Sequence, residues 1–195
     1  MRTQVSQRHK MKSIKNLSAY PGSLSLIADD VLEFHAARIL LLLRICGDDG
    51  SLKGLTKMAK LDFFVRYPHF FITAAKALGA DVSLSTTNVE TESRMIRYHY
   101  GPWDQRYYHV LAYLEAKGLI KAIKVGSTIN LSLTELGNVS ATQIEVSRSF
   151  APLTHQMRQV KSVLGNKKGT ELKNLVYKIF NEEVAKLSMG EVITP

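Results

Sequence analysis

The chain has 195 residues, a length that suits one good core with appendages or two small domains. Lys and Arg number 26 against 17 Asp and Glu, so the formal charge is +9 and polyanions are the natural partners; 45% apolar residues is ample for folding. The single cysteine, Cys46, lies in an apolar helical run, which excludes a disulfide framework or a Cys-rich zinc site and points to a reducing compartment.

Residues 1–28 hold Arg2, Arg8, Lys10, Lys12 and Lys15 and no acid, interrupted by Tyr20-Pro21-Gly22. This composition predicts a basic N-terminal arm that orders when it meets an anionic or docking surface. No apolar segment follows that would make a secretory signal, and Leu40–Leu43, flanked by Arg38 and Arg44, is too short to span a bilayer, so a cytoplasmic location is expected. The first helix is predicted over about Ala28 to Cys46, with Leu32, His35, Ile39, Leu42, Leu43 and Cys46 inward and Gly47-Asp48-Asp49-Gly50 ending it. A second amphipathic helix starts at Leu55 and stops before Pro68, since the residue preceding a proline avoids the helical region. A third runs from about His69 to Leu78 and closes on Gly79. Residues 80–98, rich in Ser, Thr and Val, read as an exposed loop or one or two short strands. Tyr98-His-Tyr-Gly-Pro-Trp103-Asp104 turns the chain, and Asp104 suits the N-cap of a fourth helix.

That helix shows Tyr107, Val110, Leu111 and Leu114 at the spacing of one buried face, and Gly118 supplies the left-handed position that stops it. Two strands follow at once. Ile120, Ala122 and Lys124 alternate with Lys121, Ile123 and Val125; Gly126-Ser127 turns; Ile129, Leu131 and Leu133 alternate with Asn130 and Ser132. A helix feeding a two-stranded wing predicts a winged helix-turn-helix, a mainly α fold with a small β-wing that lies against a duplex or a partner protein. Further helices are predicted from Thr134 to about Arg148, Leu153 to Leu164 and Thr170 to Leu187. The last carries Leu172, Leu175, Val176, Ile179 and Phe180 on one stripe, which either covers the core or forms a partner surface. The expected division is therefore an arm at 1–28, a winged-helix core at 29–150 with an insertion at 79–103, and a helical extension at 151–195.

Residues that tempt a chemical reading do not converge. No two of His35, His69, His99 and His109 have HxH or HxxxH spacing, and there is no Gly-x-Ser-x-Gly elbow or Walker A loop, so neither metal, cofactor nor catalytic residue is expected. Asp62 and Arg66 form an i, i+4 pair open to a local or a partner role. Trp103 reads as a core corner and Tyr108 as an interface residue. For nucleic acid, Gln105, Arg106 and His109 occupy the exposed side of the fourth helix, where Gln and Arg can read base edges. Lys121 and Lys124 on the wing can neutralise phosphate, so weak, charge-driven, sequence-indifferent binding is expected.

Two resemblances rest on named blocks. Leu114-Glu-Ala-Lys-Gly-Leu-Ile120 with Leu131-Ser-Leu-Thr-Glu-Leu-Gly137 resembles the end of the recognition helix and the wing of MarR-type transcriptional regulators. Gly54-Leu-Thr-Lys-Met-Ala-Lys-Leu-Asp-Phe-Phe-Val-Arg-Tyr-Pro68 with Arg97-Tyr-His-Tyr-Gly-Pro-Trp-Asp-Gln-Arg-Tyr-Tyr108 resembles the middle component of bacterial ABC-three-component systems such as Lamassu-type anti-phage defence. The second resemblance spans roughly residues 34–137. It implies a non-enzymatic subunit that bridges an SMC-like ABC ATPase and an effector, a nuclease by analogy, with possible contact to DNA. The first implies a homodimeric regulator that reads a palindrome through Gln105 to His109. The residues between Gly79 and Trp103, which separate the third helix from the fourth, favour the assembly subunit.

Overall fold

The computed structural model describes residues 31–82 and 95–194. The expected basic arm at 1–28 and most of the Ser/Thr/Val-rich stretch lie outside the described residues. The described chain is mainly helical with small antiparallel sheets. Its elements are α1 (Leu32–Cys46), β1 (Ser51–Lys53), α2 (Leu55–Arg66), α3 (Pro68–Ala77), β2 (Ile96–Tyr98), β3 (Gly101–Trp103) and α4 (Tyr107–Ala116). They continue as β4 (Ile120–Val125), β5 (Thr128–Leu133), α5 (Glu135–Val146), α6 (Ala151–Leu164) and α7 (Gly169–Ile179). No helix among the described residues is long and apolar enough to cross a membrane.

The run Ile39 to Leu43 makes α1 apolar on every side, and a helix of that kind must be enclosed. All five residues are buried, with α5, α6, α4 and α2 packed around them. The expected β4–β5 hairpin forms in the register that the alternation requires, Ile120 opposite Leu133 and Val125 opposite Thr128. Two strands were not expected: β3, in the segment that reads as a turn, pairs antiparallel with β2 through Trp103 and Ile96, and β1 joins the wing. β1, only three residues long, pairs antiparallel with β5 through Leu52 and Leu131 and makes the sheet order β1-β5-β4. It is too short for alternation to register in sequence.

The segment beyond residue 150 shares the core with α1–α4. Met157, Val160 and Leu164 of α6, then Leu172 and Val176 of α7, are all fully buried. α7 is shorter than the stretch to Leu187 that its periodicity predicts. After Ile179 the chain widens into a single π-type turn, with the Ala185 amide donating to the Phe180 carbonyl at 3.2 Å. The C-terminal residues then run beside β2: the Arg97 amide donates to Glu191 O at 2.8 Å and the Ile193 amide to Met95 O at 2.9 Å.

This packing corrects the reading of the α7 stripe as a partner surface. Leu172, Val176 and Phe180 are 0–2% exposed. The Phe180 ring lies 4.7 Å from Phe70 and 6.4 Å from both Phe63 and Phe64. Leu175 and Ile179 are half-buried against the same cluster. The stripe is apolar because it closes the protein's own core over α2 and α3, so Leu172, Val176 and Phe180 are not available to a docking partner.

Candidate nucleic-acid interface and the aromatic pocket beside it

Beneath the start of α4 lies a buried polar network. From α1, Arg38 donates through Nε to Asp62 Oδ1 at 2.9 Å, and from α4 the Tyr107 hydroxyl donates to Asp62 Oδ2 at 2.7 Å. Arg66 Nη1 stands 3.8 Å from Asp62 and donates to Asp104 Oδ2 at 2.7 Å. Arg106 holds Asp104 with its backbone amide (2.9 Å), its Nε (3.0 Å) and its Nη2 (2.7 Å), and its Nη1 lies 2.8 Å from His35 Nε2. The other His35 nitrogen is 3.0 Å from Arg38 Nη1; a neutral imidazole accepts on one nitrogen only, so the tautomer decides which guanidinium it serves.

Buried charges of this kind survive only when paired and hydrogen-bonded. Burial pushes the Asp104 carboxyl up, but the Arg106 hydrogen bonds and the nearby Arg66 outweigh it and hold the group well below the usual carboxylate range. Burial, with the charge of Asp62, pushes the Tyr107 phenol well above its ordinary value. The Asp62–Arg66 spacing thus belongs to an interior lattice joining α1, α2 and α4. Asp104, expected as the N-cap, sits two residues before the cap position occupied by Arg106.

The network decides which predicted readers remain on the surface. Gln105 and His109 are exposed, as is Tyr108 at 61%. Arg106 is half-buried and its guanidinium is committed to Asp104 and His35, which opposes its use as a base reader: withdrawing it would leave the buried Asp104 carboxylate with Arg66 as its remaining side-chain donor. Lys121 and Lys124 are exposed, but the pleat sends them to opposite faces of β4. Lys121 shares the outer face with Ile123 and Val125, whereas Lys124 continues the side of Ile120 and Ala122.

Beside α4 lies a cavity of about 310 Å³ lined by Tyr98, Tyr100, Trp103, Tyr108, Lys60 and residues 127–129 of the wing. Trp103 is its centre, 6.1 Å from the Tyr98 ring, 5.6 Å from Tyr108 and 5.0 Å, edge-on, from buried Tyr107. Lys60 is 1% exposed, and its Nζ donates to the Pro102 carbonyl at 2.9 Å. Burial, reinforced by the charge of Lys173, lowers its pKa from 10.5 to about 7. Lys60 escapes sequence reading because Met58-Ala-Lys-Leu looks like an ordinary amphipathic turn; the signal available was a lysine three residues before the doubly aromatic Phe63-Phe64. Arg38 left a comparable trace, a charge in register with His35 and Leu42 on a helix apolar all round.

Elsewhere, Cys46 is enclosed, burial pushing its thiol up to about 12, so it is an inert core group. Among the described residues no cluster of three or more His, Cys, Asp or Glu could hold a metal. Comparison with protein-family models and with curated proteins gives no match.

Proposed function

We propose that this protein is a winged-helix accessory subunit of an SMC-like ATPase complex of the anti-phage type, non-enzymatic itself, that bridges ATPase and effector and touches DNA weakly through α4 and the wing. The order α1-β1-α2-α3-α4-β4-β5 with sheet order β1-β5-β4 supports the winged-helix part of the reading, the β2–β3 hairpin being inserted before α4. The sequence blocks 54–68 and 97–108 support the family.

The observation that carries the assembly role is on α5. Its inner face, Gly137, Ala141 and Ile144, packs toward the core. On the opposite face, Leu136, Val139 and Val146 fall within one helical stripe and are 56%, 51% and 80% exposed. Burying each of them on a partner would stabilise a complex by roughly 1.5–3 kcal/mol. The test is co-expression with the coiled-coil ATPase and the effector encoded by neighbouring genes. The triple variant Leu136→Asp, Val139→Asp, Val146→Asp should drop out of the complex with an unchanged cooperative thermal transition, because each carboxylate would be desolvated without a counter-charge. Full assembly of that variant refutes the α5 contact. Selection of one palindrome at physiological salt, with no stable partner, would instead favour a MarR-like homodimeric regulator.

A further inference from the structure

The cavity between α2, the β2–β3 hairpin, α4 and the wing has a composition that general packing does not require. Its volume of about 310 Å³ lies at the lower end of the roughly 300–1,000 Å³ usual for small-ligand sites. The wall is aromatic and stays open: Tyr98 and Tyr108 flank Trp103, and Tyr100 is 59% exposed with Lys173 Nζ 5.8 Å from its ring centre. At the base is Lys60, which has no ion-pair partner among the described residues and one hydrogen bond, to a neutral carbonyl. Helical side chains lean toward the N-terminus, so Lys60 reaches back along the first turn of α2. No side chain caps that turn, and its residues Leu55 and Thr56 line the same cavity. Gly54, at φ +93°, brings the backbone in at a point where a larger residue would be strained.

We propose that this pocket binds a single nucleotide, its base stacked against Tyr98, Tyr100 and Tyr108 and its phosphate held by Lys60 and the Leu55 and Thr56 amides at the start of α2. Every base has a π-face, so tyrosine stacking needs no particular sequence. An anion placed there would favour the charged form of Lys60 and meet the positive end of the α2 dipole, which a purely apolar ligand would not do. Ser127 and Thr128 place hydroxyls at the rim, where sugar and phosphate oxygens would lie. The chain's charge of +9 concentrates such ligands around it. The pocket also sits between the two surfaces expected to meet nucleic acid, which suits capture of an unpaired nucleotide from a strand end or a gap.

The site is independent of the α5 contact and is read on the isolated full-length chain. The probes are 2-aminopurine riboside 5′-monophosphate, a single strand with one internal 2-aminopurine, and the same base within a blunt duplex. Quenching of the single strand, with little for the duplex, is expected, and parallel quenching of the mononucleotide would identify a free nucleotide as a second source of the same chemistry. Tyr108→Ala should weaken binding by roughly 5- to 100-fold, the loss of one stacked ring. Lys60→Met, which removes an internal charge without removing volume, should weaken it by roughly tenfold or more while the protein stays folded. Absence of quenching by either unpaired probe overturns the proposal, as does equal affinity in both variants. Loss of partner co-purification by Tyr108→Ala without any nucleotide binding also overturns it, and assigns the aromatic wall to a protein contact.

Discussion

Lys60 and the Asp62–Asp104 network show two ways in which this interior carries charge. The carboxylates are matched: each accepts from at least two donors, and truncating Asp62 would strand Arg38 against the apolar centre of α1. Such losses cost about 3–5 kcal/mol. Lys60 is not matched, and its folded pKa falls from 10.5 to about 7. Between those values the unfolded chain binds more protons than the folded one, so stability rises with pH through that window and is lowest below 7. Above about 8.5 the Cys46 thiol, pushed up to about 12, acts in the opposite sense, because only the unfolded chain then releases its proton. The clean interval is therefore pH 7 to 8.5, over which the wild-type protein should gain roughly 1–2 kcal/mol by urea unfolding. Lys60→Met should be flat across that interval; a slope equal to wild type would mean that Lys60 stays charged in the fold. The depressed Asp104 acts at the other end: its stabilisation is full above about pH 4 and is lost as pH falls toward the folded value. Asp104→Asn should therefore be less stable at neutral pH, and the gap to wild type should narrow below pH 3.

At the scale of elements, two helices show why a pattern of apolar residues does not by itself say what covers it. α7 and α5 both carry apolar stripes, yet α7 buries its own in the core while α5 leaves Leu136, Val139 and Val146 outside. Periodicity announces a face and is silent about its partner, which is why α7 reads as equally suited to either role from sequence. The helices and the β4–β5 hairpin were legible because each has several turns or alternations, but the end of α7 was not, since the apolar stripe continues to Leu187 through a π-type turn. β1 was not, nor was the aromatic pocket, since Tyr98, Trp103, Tyr108 and Lys60 come from four separate elements. The seating of α5 makes a sharp test. Glycine to alanine within a helix ordinarily stabilises by up to about 1 kcal/mol. A Cβ on Gly137, however, would fall 1.8 Å from the Leu119 carbonyl oxygen, a backbone atom fixed by hydrogen bonds from Thr134. Gly137→Ala should therefore destabilise by about 2–3 kcal/mol or more, since α5 must move away from Leu119 at the α4–β4 junction. For α7, Phe180→Ala should cost about 3–5 kcal/mol and Phe180→Asp should unfold the chain altogether. Stable, cooperative folding of Phe180→Asp would restore α7 as a free surface.

For the molecule as a whole, the division between interior and surface charge sets what DNA can feel. Arg106 is spent inside, and Gln105 and His109 are too few to specify a sequence, so any duplex affinity must come from dispersed lysines and arginines. Each phosphate neutralised releases counterions and adds roughly 0.9 to the magnitude of the slope of log affinity against log salt. Lys121 and Lys124 point to opposite faces of β4, Lys124 near the wing tip and Lys121 near the base of the hairpin, on a strand that is free on one edge. Lys121→Glu with Lys124→Glu should reduce the slope by about 1–2 and weaken binding to all duplexes alike, measured by anisotropy between about 50 and 300 mM salt. Arg106→Ala should leave relative affinities among sequences unchanged and instead lower the melting temperature, because its loss leaves Asp104 without the two hydrogen bonds from the guanidinium. The backbone amide bond survives that substitution, so the loss is that of two charge-assisted bonds, roughly 2–4 kcal/mol. A change of sequence preference in Arg106→Ala with unchanged stability would show that its guanidinium leaves Asp104 when DNA arrives, and would return it to the set of base readers.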